Sequence, residues 1–300
     1  MQNGSPNISR QSFKSLARAI SLVENKTGNY KEILLNLSSD SLSPVIGVTG
    51  PPGAGKSTLV DALIGEIVAQ HKKVGVLCVD PSSPFNLGAL LGDRIRMSQW
   101  YTNPNVFIRS LANRGSLGGL HPSIIEITDV MKSAHFDYVI VETVGVGQTE
   151  VEIAGLADTT VIVLVPEGGD EVQTMKAGLM EIGDIFVVNK ADRPGASTFV
   201  NNLRQLLFPS RHRSAHHVPI VKTVASQNEG ISELFEKIRA VIYNVKNADK
   251  QYWLLAEKAY QLIAAKRMSN VYKDTLYNSI KNEIEANKSF NLYKFIEEIK

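Results

Sequence analysis

The sequence predicts an α/β protein built on a doubly wound, mainly parallel sheet. Two patterns and one motif support this. Seven short runs rich in Val and Ile, at residues 45–48, 74–79, 106–108, 138–141, 160–165, 185–188 and 220–223, barely alternate in polarity. Strands buried on both faces read this way. Helical patterns separate them, at 57–71, 123–134, 170–182, 196–207 and 230–245, and strand–helix repetition implies a sheet covered on both sides. Between the first run and the first of these helices lies the glycine-rich tract Gly50-Pro-Pro-Gly-Ala-Gly-Lys-Ser57.

The flanks differ in texture. Residues 1–43 read as a helical extension. Phe13, Leu16, Ala17, Ile20 and Val23 lie on one face of a first helix, which Ser12 or Ser15 could cap and Gly28 end. A second helix is expected over 30–37, followed by a Ser-rich connector. Arg10, Lys14 and Arg18 precede the first acid, Glu24; an organelle transit segment is the alternative to a helix of the fold. Residues 44–246 form the predicted nucleotide-binding domain. Residues 247–300 show no strand signal and read as a helical arm, with Leu255, Ala259, Leu262, Ile263 and Lys266 on one stripe, Ile280 and Ile284 on another, and a third helix over 290–299. These stripes would bury against a second subunit or fold back on the chain's own domain.

With 43% apolar residues and a formal net charge of +2, the chain carries neither a nucleic-acid footprint nor a membrane-binding surface. No apolar stretch approaches a membrane span. The single cysteine, Cys78, lies in an apolar run, reads as a buried strand residue, and fits a reducing, cytoplasmic setting.

The glycine-rich tract matches G-x-x-x-x-G-K-[ST] in the strand–loop–helix context that the pattern requires. Its glycines let main-chain N–H groups approach phosphate oxygens, and the helix N-terminus adds partial positive charge. Gly53, Ala54, Gly55, Lys56, Ser57 and Thr58 are therefore the expected phosphate contacts, with Lys56 reaching the β- and γ-phosphates and the Ser57 hydroxyl on Mg²⁺. Asp80 and Glu142 follow strand runs and would reach the ligand crevice, while Asp93 lies in a loop-like stretch. Ser57, Asp80, Asp93 and Glu142 are the candidate magnesium ligands. In Glu142-Thr-Val-Gly-Val-Gly-Gln148, Gly145 leaves the backbone free to approach a phosphate, and Gln148 or a carboxylate could orient attacking water.

Asn189-Lys-Ala-Asp192 follows the run 185–188. Asp192 can accept two hydrogen bonds from guanine N1–H and its exocyclic amine, a donor pair adenine lacks. Asn189 would brace the loop, the Lys190 stem would cover the base, and a backbone N–H near Ala225 could serve guanine O6. These residues point to GTP and GDP as ligands.

The chain resembles the MeaB/ArgK family of GTPases, G-protein chaperones of methylmalonyl-CoA mutase and related adenosylcobalamin-dependent mutases. The resemblance covers roughly residues 12–245. It is carried by Leu16-Ala-Arg-Ala-Ile-Ser-Leu-Val-Glu-Asn25, the phosphate loop, Val79-Asp-Pro-Ser-Ser-Pro-Phe85, Gly88-Ala-Leu-Leu-Gly-Asp-Arg-Ile-Arg-Met97, Arg114-Gly-Ser-Leu-Gly-Gly119, the tract from Val141 to Glu150, and Val188-Asn-Lys-Ala-Asp192. It implies slow GTP hydrolysis, acidic positions around Mg²⁺ at Asp80, Asp93 and Glu142, and a first helix belonging to the mature fold. It also implies a signalling loop at 168–177, a homodimer joined through the C-terminal arm, and an acyl-CoA mutase client loaded with cofactor and protected. This chain departs from the family pattern at Asn86-Leu87, at Glu167 and at Val224.

Two other readings compete with the GTPase chaperone. A P-loop kinase would need an acceptor pocket, for which the sequence offers no residues. A metal-insertion GTPase would need metal ligands, but one Cys and the cluster His212, His216 and His217 in a basic loop are poor candidates.

Overall fold

The computed structural model describes residues 13–37, 43–80, 97–113, 120–143, 149–167, 182–207, 218–244, 248–286 and 290–298. The chain divides into two compact units, Met1–Asn247 and Ala248–Lys300.

The first unit is organised by a seven-stranded sheet. Its strands are β1 (Val45–Thr49), β2 (Val74–Asp80), β3 (Val106–Ala112), β4 (Tyr138–Glu142), β5 (Thr159–Leu164), β6 (Ile185–Val188) and β7 (Ile220–Lys222), in the order β3-β2-β4-β1-β5-β6-β7. All six pairings are parallel. All seven predicted runs are strands. β3 runs four residues beyond the prediction because Arg109 and Ser110 interrupt its apolar pattern. Arg109 Nη2 pairs with Glu24 Oε2 at 2.6 Å, tying this edge strand to the first helix.

Strand parity sends alternate residues to two cores. Ile46, Val48, Val74, Val76, Cys78, Tyr138, Ile140, Val161, Val163, Ile185 and Val187 face helix α3 (Lys56–Ala69) and the later helix Ile231–Asn244. Val45, Leu77, Val79, Val139 and Val141 face the opposite way, toward α1 (Phe13–Asn25), α2 (Tyr30–Leu35), α4 (Ile124–Lys132) and α5 (Thr149–Leu156). Ile162, Leu164, Phe186 and Val188 pack on α6 (Ala196–Leu207), and the Ile231–Asn244 helix is α7. On α1 the buried stripe is Leu16, Ala19, Ile20 and Val23. Ala19 takes the fully buried place expected for Ala17, which together with Phe13 packs at the border. The basic first helix is thus a packed element of the domain.

α5 was not expected from the sequence. Its Ile153 fits directly over Gly47 of β1, where an added Cβ would lie 2.6 Å from Ile153 Cγ1. The predicted helix 170–182 falls almost wholly outside the described residues, as do Asp93, Gly145, Gln148, the expected signalling segment 168–177 and the histidine cluster at 212–217.

The N-terminal edge of the sheet is closed by aspartates. Asp158, just before β5, accepts the Val45 N–H of β1 at 2.7 Å. Asp184, just before β6, accepts the Thr160 N–H of β5 at 2.9 Å. Asp137, just before β4, accepts the Lys73 N–H at 2.8 Å and the Lys72 ammonium at 2.9 Å. Each satisfies a main-chain donor within one residue of the start of the adjacent strand and so fixes the register.

The second unit consists, among the described residues, of α8 (Ala248–Arg267), α9 (Lys273–Ala286) and α10 (Leu292–Glu298). Phe295 is buried against Phe290, with ring centroids 5.7 Å apart. Many of its other apolar side chains are exposed, including Tyr252, Leu255, Tyr260, Ile263, Tyr277, Ile284 and Tyr293. Among the described residues no helix is long and apolar enough to cross a membrane.

Candidate functional site

The strand order places β2 and β3 on one side of β1 and β5 to β7 on the other, so the chain reverses direction across the sheet beside β1. Ligands of open α/β sheets bind at the carboxyl ends of the strands near such a reversal. Gly50–Ser57 leaves β1 at this point.

Two glycines of the loop are required by geometry. Gly50 has φ +146°, and a Cβ there would lie 2.1 Å from Val163 O. Gly55 has φ +86°, and a Cβ would lie 2.4 Å from Asn189 Nδ2. Helix α3 begins immediately afterwards, with Lys56 and Ser57 buried in its first turn and Thr58 exposed. Lys56 Nζ donates to Gly50 O at 2.9 Å and to Pro51 O at 3.0 Å, so the ammonium lies back across the loop.

The same parity that builds the core delivers the carboxylates. Glu142 continues the β4 series Tyr138, Ile140 and Asp80 continues the β2 series Val76, Cys78, so both side chains project on the α3 face. Cys78 is the register partner of Glu142. Asp80 and Glu142 are both buried, at 6% and 4% exposure, in a position where a carboxylate needs polar or cationic company. Ser57 Oγ donates to Glu142 Oε1 at 2.6 Å. That bond directs the hydroxyl proton to Glu142 and leaves the Ser57 oxygen lone pairs for a cation. A hydroxyl and two carboxylates are hard oxygen donors of the kind Mg²⁺ takes. Behind them Thr143 Oγ1 donates to Thr49 Oγ1 at 2.9 Å, a buried contact between the ends of β1 and β4 that the sequence reading did not single out.

Asn189 occupies the corresponding position after β6 and acts as a brace. Its Nδ2 donates to Ala54 O at 2.9 Å, while its Oδ1 accepts from Thr223 Oγ1 and the Ala225 N–H, each at 3.1 Å. A trans peptide points its N–H opposite to its C=O, so holding Ala54 O turns the Gly55 N–H to the other side of the loop. Lys190, with φ 54°, donates from Nζ to Gly53 O at 2.8 Å. Asp192 is exposed beyond it. The Ala225 N–H, considered above as a guanine O6 donor, is already donated to Asn189. Ala225 therefore joins the brace beneath the Asn189–Asp192 loop.

The structure thus gathers Lys56, Ser57, Asp80, Glu142, Asn189, Lys190 and Ala225 around one end of the sheet. It also shows an ion pair that the sequence did not: Arg193 Nη1 donates to Glu167 Oε1. The Arg193 guanidinium holds the Glu167 carboxyl below its ordinary value. Glu167 stood out in the sequence only as a departure in charge; its partner, 26 residues away, had no local signal. A second anchor lies beside α3, where Trp100 Nε1 donates to Asp61 Oδ1 at 2.7 Å.

Residues 16–282 match the family described as methylmalonyl-CoA mutase-associated GTPase MeaB. A GTPase-designated protein of Pyrococcus abyssi is 51% identical over 230 residues, covering 75% of this chain and 71% of its own. GTPase ArgK of Escherichia coli is 32% identical over 295 residues, covering 93% of this chain and 84% of its own. The crystal structure of a LAO/AO transport system kinase superposes with a TM-score of 0.63 at 25% identity, covering 95% of this chain and 94% of that one. This chain belongs to the MeaB family of methylmalonyl-CoA mutase-associated GTPases.

Proposed function

We propose that this GTPase works as a magnesium-dependent switch that assists cofactor loading and protection of an adenosylcobalamin-dependent acyl-CoA mutase of the methylmalonyl-CoA mutase type. The observation that carries the chemical half is the Ser57–Glu142 bond beside buried Asp80, at the mouth of the phosphate loop. The client half is supported by the family to which the chain belongs.

In this reading Gly53, Ala54, Gly55, Lys56, Ser57 and Thr58 bind the phosphates. Lys56 exchanges its two loop carbonyls for β- and γ-phosphate oxygens, trading neutral acceptors for charged ones. Ser57, Asp80 and Glu142, joined by Asp93, would hold Mg²⁺, which when bound neutralises charge developing on the phosphate oxygens. Asn189 and Lys190 hold the base loop against the phosphate loop, and Asp192 reads the guanine edge. Gly145 approaches the γ-phosphate, and Gln148 or a carboxylate orients water. Intrinsic turnover is expected to be slow, about 10⁻⁴ to 10⁻² s⁻¹, as for G proteins without a stimulating partner.

A homodimer through residues 247–300 completes the reading. Tyr252, Leu255, Tyr260 and Ile263 on α8 are exposed and offer apolar surface for such a contact. The setting is cytoplasmic, with neither nucleic acid nor membrane as a partner.

The test is calorimetric titration with Mg-GDP, a Mg-GTP analogue and Mg-ATP, repeated with a purified cobalamin-dependent acyl-CoA mutase. Guanine-only binding that shifts when the mutase is added is the expected result. Guanine-only binding indifferent to the mutase would remove the client. Comparable ATP binding would remove the base assignment and bring phosphoryl transfer to an acceptor forward.

A further inference from the structure

The loop carrying Asp192 is pinned at both ends. At its start, Asn189 and Lys190 bond to Ala54 O and Gly53 O of the phosphate loop. In its middle, the Ala191 N–H donates to Thr223 O at 3.0 Å. At its far end the Arg193 N–H closes a turn onto Lys190 O at 3.0 Å, and the Arg193 guanidinium reaches across to Glu167. Glu167 stands three residues past the end of β5, so a buried strand carries one half of the pair. Asp192 lies between the two pins and is adjacent to Arg193.

Exposed ion pairs often contribute nothing measurable, and these two side chains are about half exposed. The pair differs from an ordinary surface contact in what it joins. It links the segments that follow two neighbouring strands rather than two turns of one helix, and it restrains the residue next to the one that would read the base. Lys190 adds positive field at Glu167.

We infer that Glu167 is a positioning residue for guanine recognition: acting through Arg193, it holds the loop that presents Asp192 and so slows release of bound guanine nucleotide. This rests on the reading of Asn189–Asp192 as the guanine loop. Glu167 need not touch the nucleotide. Because its effect is electrostatic and at the surface, it is modest and sensitive to salt.

The experiment measures release of a fluorescently labelled GDP from the full-length protein at about 50 mM and about 500 mM salt, where screening lengths differ about three-fold. Wild type, Glu167→Gln, Arg193→Gln and the double variant are compared. Calorimetry with Mg-pyrophosphate serves as a readout blind to the base. At low salt each single variant should release GDP about two- to five-fold faster, as expected for an exposed pair at the strong end of its range. The double variant should be no faster than either single one. High salt should shrink the difference, and pyrophosphate affinity should stay at the wild-type value. Unchanged release in the single variants of a guanine-selective protein would overturn the inference alone, as would additive effects in the double variant. Wild type that binds pyrophosphate but shows no preference for guanine nucleotides would overturn the base-loop reading, and the inference with it.

Discussion

At one edge of the sheet, Asp137, Asp158 and Asp184 each stand one residue before a strand and accept a main-chain N–H within one residue of the start of the neighbouring strand. At the other edge, Asp80 and Glu142 end β2 and β4, buried beside the phosphate loop, and Glu142 takes its hydrogen bond from the Ser57 hydroxyl. The residue chemistry is nearly the same and the task differs. An acid before a strand meets fixed N–H donors that need an acceptor. An acid after a strand is delivered by parity to the face where a helix begins, and there it can serve a cation. In the proposed reading, position relative to the strand, more than the carboxylate itself, separates stability from chemistry in this fold.

The comparison can be sharpened first at the crevice, where the largest effects are expected. If Asp192 reads guanine as proposed, Asp192→Asn removes one of its two acceptors, and the GTP-over-ATP preference should fall by at least about 100-fold in competition binding, since sites built on polar matching can discriminate by about 10⁴. An unchanged preference would mean the base is read elsewhere. Lys56→Ala removes the loop's cation; nucleotide affinity should weaken by about 10- to 100-fold, the range for losing charge-assisted hydrogen bonds. Nucleotide-free protein should also lose about 1–3 kcal/mol of stability, because the buried Gly50 carbonyl loses its donor.

At the opposite edge the loss should fall on stability alone. Asp158→Ala leaves the Val45 N–H without its acceptor and should cost about 1–3 kcal/mol of unfolding free energy, with GTP affinity intact. Urea titration of nucleotide-free protein reads the first quantity and calorimetry the second.

The smallest effect concerns pH. Tyr138 opens β4 at the same N-terminal edge, and burial, aided by Tyr243, pushes its hydroxyl up to about 12 from 10.0. The folded state therefore keeps the proton after the unfolded chain has lost it. Stability from this group is complete below about pH 10 and is lost as pH rises toward about 12. The stability difference between Tyr138→Phe and wild type should shift in favour of the variant across that window. A difference that stays flat with pH would show that Tyr138 ionises as readily folded as unfolded.

Much of the sheet was legible because buried parallel strands advertise themselves. The runs at 185–188 and 45–48 match β6 and β1 to within one residue. α5 escaped because Thr149-Glu-Val-Glu-Ile-Ala-Gly-Leu156 is short, carries two acids and Gly155, and is held by Ile153 over Gly47. That contact exists only once β1 is in place. The phosphate loop and the Asn189–Asp192 loop were readable because local spacing encodes them. The aspartate clamps were not, although Asp137, Asp158 and Asp184 each precede an apolar run, because a turn acid and a register clamp look alike in one dimension. The Ser57–Glu142, Thr49–Thr143 and Glu167–Arg193 pairs join residues 85, 94 and 26 positions apart, and only the folded sheet brings them together.

The division of labour between the two edges is tested most directly by measuring GTP hydrolysis and chemical unfolding on the same preparations of wild type, Glu142→Gln and Asp158→Ala. Glu142→Gln keeps an acceptor for Ser57 while removing the charge. It should lower hydrolysis by about 100-fold or more, in line with the loss of a group that stabilises transition-state charge, and leave unfolding within about 1 kcal/mol of wild type. Asp158→Ala should do the reverse, losing about 1–3 kcal/mol of stability while its folded fraction hydrolyses GTP at the wild-type rate. If Glu142→Gln hydrolysed GTP normally, or if Asp158→Ala lost turnover while fully folded, the assignment of chemistry to one edge and stability to the other would be wrong.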